Sequence, residues 1–264
     1  MSETASSSAE PGSPAVTALY RYPLKGFSPE RLEAVDLSPG ETFPGDRAYA
    51  IENGPGRFDP DNPKHLPKIN FLMLMRNERL ASLETRYADA TDTLTVLRDG
   101  KQVARGQLAT KLGRQMIEQF LAAYLKGDLR GPPRIVAAPG HSFSDMDEKC
   151  VHLVNLATVR EIERSLGKPI DPLRFRANIY FDGAPAFAET HWIDRALSIG
   201  PVRLDVFAMT ERCAATNVDP VSAARDLAIP QHLMRTYNHS DVGIYARVVA
   251  GGRIQDGDRL MMPS

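Results

Sequence analysis

The chain has 264 residues, 42% of them hydrophobic, so it can bury a substantial core as one large domain or two interlocked smaller ones. Its 32 basic and 33 acidic residues give a net charge of -1, which provides no global field to gather nucleic acid or an anionic membrane. Two cysteines, Cys150 and Cys213, are too few for a disulfide framework, a four-cysteine zinc site or an iron–sulfur cluster.

The amino terminus predicts a disordered tail. Met1–Pro14 is rich in Ser, Ala, Glu, Pro and Gly, and it lacks the basic start and apolar run of a signal peptide. No apolar run approaches the roughly 20 residues that span a bilayer. Together with the low cysteine count, these features predict a cytoplasmic protein with no membrane partner.

Short segments rich in branched and aromatic residues predict strands in the first hundred residues. They are Ala15–Tyr22, Ala34–Leu37, Arg47–Glu52, Ser82–Tyr87 and Thr93–Leu97. We interpret residues 15–110 as a small N-terminal β-barrel domain. Gly54–Lys68 is rich in Pro, Gly and charges, which predicts a mobile surface loop and a candidate lid.

The remainder, residues 111–264, predicts a second domain with more helix. The expected helices are Leu112–Leu125, a segment from the N-cap Asn155 to Gly167, and Ser222–Ala228. The expected strands are Cys150–Val154, Arg176–Phe181 and Val202–Met209, with Gly243–Ala250 and Arg253–Met262 as a closing hairpin. The predicted fold class is therefore mostly β with a few helices (α+β), with interlocked domains.

The segment Met209–Pro220 contains an arginine directly before Cys213, at the end of a predicted strand. A neighbouring cation favours the thiolate form of a cysteine, and a thiolate is both a nucleophile and a soft-metal ligand. Without further context, a cysteine is more often a small apolar filler of the core. We interpret Cys150 in that structural sense.

Two further segments are candidate anion sites. Arg174 and Arg176 are spaced i, i+2 at a predicted strand start, which would place both guanidinium groups on one face, suited to phosphate or carboxylate oxygens. The alternative is a solvated strand edge. Asn155 and Thr158 open a helix directly after a strand, where free backbone N–H groups attract anions, although simple capping is the alternative.

Other standard motifs are missing or weak. The sequence contains no G-x-G-x-x-G, P-loop or G-x-S-x-G motif, and its six histidines are dispersed without metal-ligand spacing. Asp145, Asp147 and Glu148 are interpreted as a solvated acidic turn. Lys25 before a glycine and Arg47 after an aspartate are each ordinary when taken alone.

Taken together and in order, several segments resemble the MOSC family over about residues 15–262. They are Tyr22-Pro-Leu-Lys-Gly26, Gly45-Asp-Arg-Ala-Tyr49, Arg174-Phe-Arg-Ala-Asn178 and Glu211-Arg-Cys213 with Val218-Asp-Pro220. The chain is most similar to members that pair an N-terminal β-barrel with the MOSC domain, such as the mitochondrial amidoxime reducing component and bacterial hydroxylaminopurine-resistance reductases. The resemblance implies both a fold and a cofactor.

In that family the cysteine of the arginine–cysteine pair is the metal ligand and catalytic residue, which implies this role for Cys213. The resemblance also implies cofactor contacts, to which the residue pattern adds Arg174. The full expected set is Lys25, Arg47, Asn155, Thr158, Arg174, Arg176, Asn178 and Arg212. The implied cofactor is the molybdenum cofactor (Mo-molybdopterin).

The sequence departs from the family pattern at Gly26, where a serine is usual, at Glu211, where the reductases have a small polar residue, and in the loop Gly54–Lys68. Substrate identity is therefore not carried across. The resemblance implies two-electron reduction of an N-hydroxylated small molecule. Because two cysteines cannot build an iron–sulfur cluster, the electrons would come from a separate electron-transfer protein or flavoprotein.

Two alternatives remain open at this stage. One is a molybdenum-cofactor carrier or a sulfur-transfer protein that uses Cys213 as a persulfide. The other is a binding module for a different phosphate-bearing ligand, with no metal. A persulfide role predicts a solvent-reachable Cys213 and no turnover of hydroxylamines.

Overall fold

The structure is a computed structural model that describes residues 13–262. Of the predicted tail, Met1–Pro14, the first twelve residues lie outside the described residues. Within that range there are fifteen strands and three α-helices. The strands are β1 (Ala15–Arg21), β2 (Glu30–Leu32), β3 (Ala34–Leu37), β4 (Ala50–Glu52), β5 (Glu84–Ala88), β6 (Thr93–Arg98), β7 (Lys101–Gln107), β8 (Arg134–Val136), β9 (Val151–Asn155), β10 (Ile179–Asp182), β11 (Ala196–Ile199), β12 (Val202–Glu211), β13 (Asp241–Ala250), β14 (Gly252–Gln255) and β15 (Leu260–Met261). The helices are α1 (Lys111–Tyr124), α2 (Leu156–Leu166) and α3 (Ile229–Tyr237).

An eight-stranded sheet organises the molecule, in the order β15-β11-β12-β13-β9-β10-β1-β2. Its pairings are antiparallel except for the parallel pair β9 and β10. In β12, Val202, Leu204 and Val206 are buried while Arg203 and Asp205 between them are exposed, because successive side chains point to opposite faces. From the N-terminal half, β1 pairs with β10 and β3 pairs with β14, so the two halves interlock.

A smaller unit stands beside this sheet. Strands β5, β6 and β7 form an antiparallel meander, and α1 packs against β7. The core of this unit is apolar and includes Leu94, Val96, Ile117 and Leu121, all fully buried or nearly so. The helix that follows residue 110 therefore packs on the N-terminal meander, and the domain boundary at that residue stays a prediction.

Most predicted elements that have strong local signals are confirmed. The predicted fold class, mostly β with a few helices, is confirmed, and β3 has its predicted bounds. Asn155 caps α2 by accepting the Ala157 N–H at 3.0 Å, and Gly167 ends that helix in a left-handed conformation. Thr110 caps α1 in the same way.

Three predictions are wrong. The strand predicted from Arg176 begins at Ile179 and follows a 3₁₀ turn, Pro172–Phe175. Residues 222–228 are not helical, because Asp219 accepts the Val221 and Ser222 N–H groups in a turn, and α3 begins instead at Ile229, beside Pro230. The closing hairpin does not form, since β13 pairs with β12 and β9 while β14 pairs with β3.

The predicted loop after β4 is anchored at its middle. Phe58 is buried, with its ring centroid 4.8 Å from that of Phe143. The buried Glu52 carboxylate accepts the backbone N–H groups of Arg57 and Phe58, both at 2.7 Å, and pairs with Arg134. The role of this loop as a lid stays a prediction.

Candidate functional site

Seven of the nine predicted site residues line one cavity with a volume of about 330 Å³. They are Lys25, Arg47, Arg174, Arg176, Asn178, Arg212 and Cys213. We call this space the Cys213 cavity. Cys213 follows the end of β12 and is the N-cap of the 3₁₀ turn Ala214–Asn217, where its side chain is half-buried. The fold therefore gathers cations from distant segments around one cysteine.

Arg212 is held by backbone oxygens. Its Nε donates to the Val242 carbonyl at 2.8 Å and its Nη1 donates to the Phe175 carbonyl at 3.0 Å. Its Nη2 lies 2.6 Å from His152 Nε2. Burial first, and then the Arg212 charge, hold the pKa of His152 well below its usual range, so the imidazole is neutral and Nε2 accepts. Arg212 thus fixes the strand end that carries Cys213.

Arg47 and Arg176 lie against the ring of Tyr22. The guanidinium carbons are 4.6 Å and 4.2 Å from the ring centroid, within the range of cation–π attraction. Arg47 pairs with Asp46 and donates to the Arg176 carbonyl at 2.9 Å, while Arg176 donates to the Phe27 carbonyl at 2.8 Å. Burial lowers the pKa of Arg176 to about 10. Two half-buried cations are therefore held side by side.

Lys25, Asp145 and Lys68 form a charged network that the sequence did not predict. Lys25 Nζ donates to Asp145 Oδ1 at 2.5 Å and to the Phe143 carbonyl at 2.7 Å, and Lys68 Nζ lies 3.4 Å from Asp145 Oδ2. Partial burial raises the pKa of Asp145, but the two lysines more than offset this effect and hold it below its usual range. Asp145 is thus an ion-pair partner in the cavity wall.

Lys68 lies close to Cys213. Burial lowers the pKa of Lys68, but its interactions with Asp145 and Cys213 more than offset this effect, so the pKa lies above its ordinary value. Lys68 is the last residue of the predicted loop Gly54–Lys68. No local sequence pattern predicted that it would line the cavity.

Arg174 connects the cavity to the segment after Cys213. Its Nη2 donates to the carboxylates of Asp219 and Asp226, both at 2.9 Å, and its Nη1 lies 3.4 Å from the Thr216 carbonyl. The prediction that Arg174 and Arg176 share one strand face is wrong, because Arg174 lies in the 3₁₀ turn and Arg176 has a φ of 52°. The two residues nevertheless reach the same cavity.

The Asn178 side chain forms hydrogen bonds with two backbone groups of the protein. Its Oδ1 accepts the His152 N–H at 3.1 Å, and its Nδ2 donates to the Tyr20 carbonyl at 3.2 Å. Asn178 therefore joins β9 to β1 at the floor of the cavity.

The structure does not bring Asn155 and Thr158 to the cavity. Asn155 Nδ2 donates to Glu189 Oε2 at 3.0 Å, and Thr158 Oγ1 donates to Glu189 Oε1 at 2.7 Å. Both residues are completely buried, and Asn155 Oδ1 caps α2. Their polar atoms serve a buried network, and the prediction that they contact a cofactor stays a prediction.

The network around Glu189 predicts that the stability of the fold depends on pH. Burial raises the pKa of Glu189 above its ordinary value of 4.5, although the donors Asn155 and Thr158 oppose the shift. The folded chain therefore holds this proton more tightly than the unfolded chain. The resulting stability is fully present below pH 4.5 and is lost as the pH rises through the folded pKa.

The variant Glu189→Gln has no titrating carboxyl at this position. Any hydrogen bond that it loses changes its free energy of unfolding by an amount that does not vary with pH. We expect the free energy of unfolding of the native chain, minus that of the variant, to fall as the pH rises from 4.5 toward neutrality. Urea unfolding across that range measures the difference. A difference that stays flat would show that Glu189 titrates alike in both states.

Glu211, one of the departures from the family pattern, also lines the cavity. The residue is exposed, and its Oε1 lies 3.5 Å from the Ser240 hydroxyl. Cys150 also lines the cavity, and burial raises the pKa of its thiol to about 12. Its structural role stays a prediction.

Two family models match the chain. Residues 13–129 match the MOSC N-terminal beta barrel domain, and residues 140–261 match the MOSC domain. The chain belongs to the MOSC-domain proteins. This membership agrees with the resemblance carried by the ordered motifs around Lys25, Arg176 and Cys213.

Curated relatives match a shorter stretch. The chain is 30% identical over 94 residues to mitochondrial amidoxime reducing component 2 of Rattus norvegicus, a match that covers 36% of this chain and 27% of that protein. It is 28% identical over 89 residues to the human mitochondrial amidoxime-reducing component 1, covering 34% and 26%. The match thus spans about a quarter of these relatives.

Solved structures are similar at lower identity. The YuaD protein of Bacillus subtilis has a TM-score of 0.44 and 13% identity, with 94% of each chain covered. YiiM of Escherichia coli has a TM-score of 0.33 and 18% identity, covering 43% of this chain and 54% of that one.

Residues 13–262 contain neither a metal-binding cluster of acidic, His or Cys side chains nor a membrane-spanning helix. No three His, Cys, Asp or Glu residues in that range cluster as a metal site. None of the helices there is long and apolar enough to cross a membrane, and the cytoplasmic location stays a prediction.

Proposed function

We propose that the chain binds a molybdenum–pterin cofactor in the Cys213 cavity and reduces N-hydroxylated small molecules. The observation that carries this proposal is a half-buried cysteine enclosed by six cationic side chains. They are Lys25, Arg47, Lys68, Arg174, Arg176 and Arg212. A thiolate suits a soft metal, and the six cations outnumber the three carboxylates that also line the cavity, Asp46, Asp145 and Glu211, which suits an anionic ligand.

Unpartnered polar atoms support the fit of an anionic cofactor. Arg176 Nη2, Arg174 Nε and Thr210 Oγ1 are buried, and none has a hydrogen-bond partner in the described residues. All three residues line the cavity. A buried donor without an acceptor costs about 1–3 kcal/mol, and phosphate or pterin acceptors would remove that cost.

The residues divide into two groups by what they would do. Cys213 would supply the one protein ligand to the metal, and Lys25, Arg47 and Arg176 would hold anionic groups of the cofactor. Arg212 holds the strand end before Cys213, and Arg174 holds the segment after it. When bound, such a cofactor supplies two-electron redox chemistry with oxygen-atom transfer.

The net reaction takes two electrons and two protons, converts an N–OH group into N–H and releases water. The two cysteines cannot build an iron–sulfur cluster within these 264 residues. We therefore propose that a separate electron-transfer protein or flavoprotein delivers the electrons. The relatives named as amidoxime reducing components support this reaction class.

The test is turnover of benzamidoxime to benzamidine by protein made in cells that synthesise the cofactor, with reduced methyl viologen as the electron donor. We expect turnover by the native chain and by Cys150→Ser, and none by Cys213→Ser. Both cysteines line the cavity, but Cys213 is half-buried whereas Cys150 is buried. Equal turnover by Cys213→Ser would contradict the proposal.

One observation favours sulfur transfer as a second candidate. Cys213 is half-buried rather than buried, so a persulfide on its sulfur would be reachable from the cavity. This function predicts a persulfide on Cys213, detectable by alkylation and mass spectrometry after incubation with a cysteine desulfurase, together with no benzamidoxime turnover. Turnover without persulfide favours the reductase.

A further inference from the structure

Arg225 joins two walls of the Cys213 cavity without lining it. Its Nη1 donates at 3.3 Å to the carbonyl of Ala214, the residue directly after Cys213. Its Nη2 donates to the carbonyl of Leu74 at 3.2 Å and to that of Met75 at 2.8 Å. Leu74, Met75 and Cys213 all line the cavity. One guanidinium therefore connects the N-terminal half of the chain to the turn that follows Cys213.

The carbonyls of Leu74 and Met75 need donors from outside their own segment. Both residues lie in a turn between β4 and β5, so neither a strand partner nor a helix supplies those donors. Arginine suits this position because its planar, permanently charged group carries five N–H donors and can reach several acceptors at once. A lysine ammonium is a compact point charge and reaches fewer of them.

The backbone that carries Arg225 is fixed on both sides. The Asp219 N–H donates to the Ala224 carbonyl at 2.8 Å, which closes the loop just before Arg225. The next residue, Asp226, accepts from Arg174 Nη2 at 2.9 Å. Because both neighbours are held, the Arg225 guanidinium has a set position between the two walls.

The ion pair of Arg225 is the minor part of this contact. Glu78 Oε2 accepts from Arg225 Nη2 at 2.9 Å, but the two side chains are 35% and 39% exposed. An exposed ion pair contributes little because water screens it. The three carbonyl contacts, and not the pair with Glu78, therefore distinguish Arg225 from an ordinary surface arginine.

We infer that Arg225 is a positioning residue for Cys213. It holds the 3₁₀ turn Ala214–Asn217 against the segment 74–78, and through that turn it fixes where the Cys213 sulfur lies in the cavity. The inference rests on the proposed function, since a sulfur that binds a metal must be kept in place by the residues behind it. Sequence reasoning missed Arg225 because its carbonyl partners in the N-terminal half are distant in the chain.

The first test is hydrogen exchange on the full chain prepared without cofactor. The Thr216 and Val218 amides, which donate within the turn after Cys213, should exchange about tenfold faster in Arg225→Ala than in the native chain. Arg253→Ala is the matched control. Arg253 also joins the two halves, through Asp36 at 3.0 Å between β14 and β3, but away from the cavity, so its loss should leave both amides unchanged.

The second test is turnover of benzamidoxime, expressed as kcat per bound molybdenum. We expect Arg225→Ala to lower this value at least about tenfold, because small misplacements of reacting groups are costly. A residue needed only for folding would lower the yield of loaded protein and leave kcat per molybdenum unchanged. Glu78→Gln should stay close to the native value. Millimolar guanidinium, too dilute to unfold the chain, should restore part of the activity of Arg225→Ala.

The inference is overturned if the Thr216 and Val218 amides exchange at the native rate in Arg225→Ala, or if that variant keeps the native kcat per bound molybdenum. Should Arg225→Ala not fold, Arg225→Lys replaces it, and native exchange and kcat in the lysine variant would overturn the inference equally. If the native chain itself gives no turnover, the reductase proposal fails, and the exchange result alone decides the role of Arg225.

Discussion

Tyr22→Leu is expected to lower the free energy of unfolding by at least about 3 kcal/mol, because it removes a fully buried ring and two cation–π contacts together. Without the ring, Arg47 and Arg176 would be neighbouring half-buried cations that have both lost this attraction. We also expect weaker retention of any anionic ligand. Urea unfolding and the cofactor content of purified protein measure the two effects.

Tyr22→Phe is the matched control. The Tyr22 hydroxyl is buried, with no partner among the described residues, so its removal relieves an unsatisfied group instead of breaking a contact. We expect the stability of this variant to be unchanged or higher by about 1 kcal/mol. If the Phe variant lost as much stability as the Leu variant, the hydroxyl and not the ring would hold the arginines.

Gly113→Ala is expected to destabilise the chain by at least about 3 kcal/mol, although alanine is the better helix former by about 1 kcal/mol. A Cβ on Gly113 would lie 2.1 Å from the Gln107 carbonyl oxygen and 2.5 Å from its nitrogen, so α1 would have to move away from β7. Urea unfolding measures the loss, and the sign of the effect distinguishes backbone contact from helix propensity.

Gly56→Ala serves as the control for this prediction. A Cβ there would meet only the ends of the Arg134 and Glu52 side chains, each at 3.2 Å. Because neither contact involves backbone and the exposed Arg134 side chain can shift, we expect a smaller change, of about 1 kcal/mol. A stable Gly113→Ala variant would mean that α1 and β7 are not in close backbone contact.

The sequence predicted the features whose causes are local. The bounds of α2 follow from Asn155 as N-cap and Gly167 as C-cap, and the alternation of Val202, Leu204 and Val206 follows from strand geometry. The gathering of Lys25, Arg176 and Cys213 followed from the ordered family motifs and not from periodicity. The structure then placed all three on one cavity.

The sequence could not predict features set by long-range partners. Asn155 and Thr158 look like an anion site until Glu189, more than thirty residues away, is seen to accept from both. Asp145 looks like part of a solvated turn until Lys25, 120 residues earlier, donates to it. In both cases the distant partner decides what the polar group does.

Loop conformation was the other source of error. The residues after Asp219 have helix-compatible composition, but the Asp219 carboxylate accepts two successive N–H groups and also pairs with Arg174. These contacts fix a turn instead of a helix. Side-chain competition for backbone donors is a local effect, but its outcome here depends on Arg174, which is distant in sequence.

The measurement that tests the central claim most directly is molybdenum and pterin analysis of protein produced in cells that make the cofactor, comparing the native chain with Cys213→Ser and Cys150→Ser. We predict bound molybdenum and pterin in the native chain and in Cys150→Ser, with molybdenum lost in Cys213→Ser. Absence of both from the native chain, or retention of molybdenum by Cys213→Ser, would contradict the assignment of Cys213 as the metal ligand.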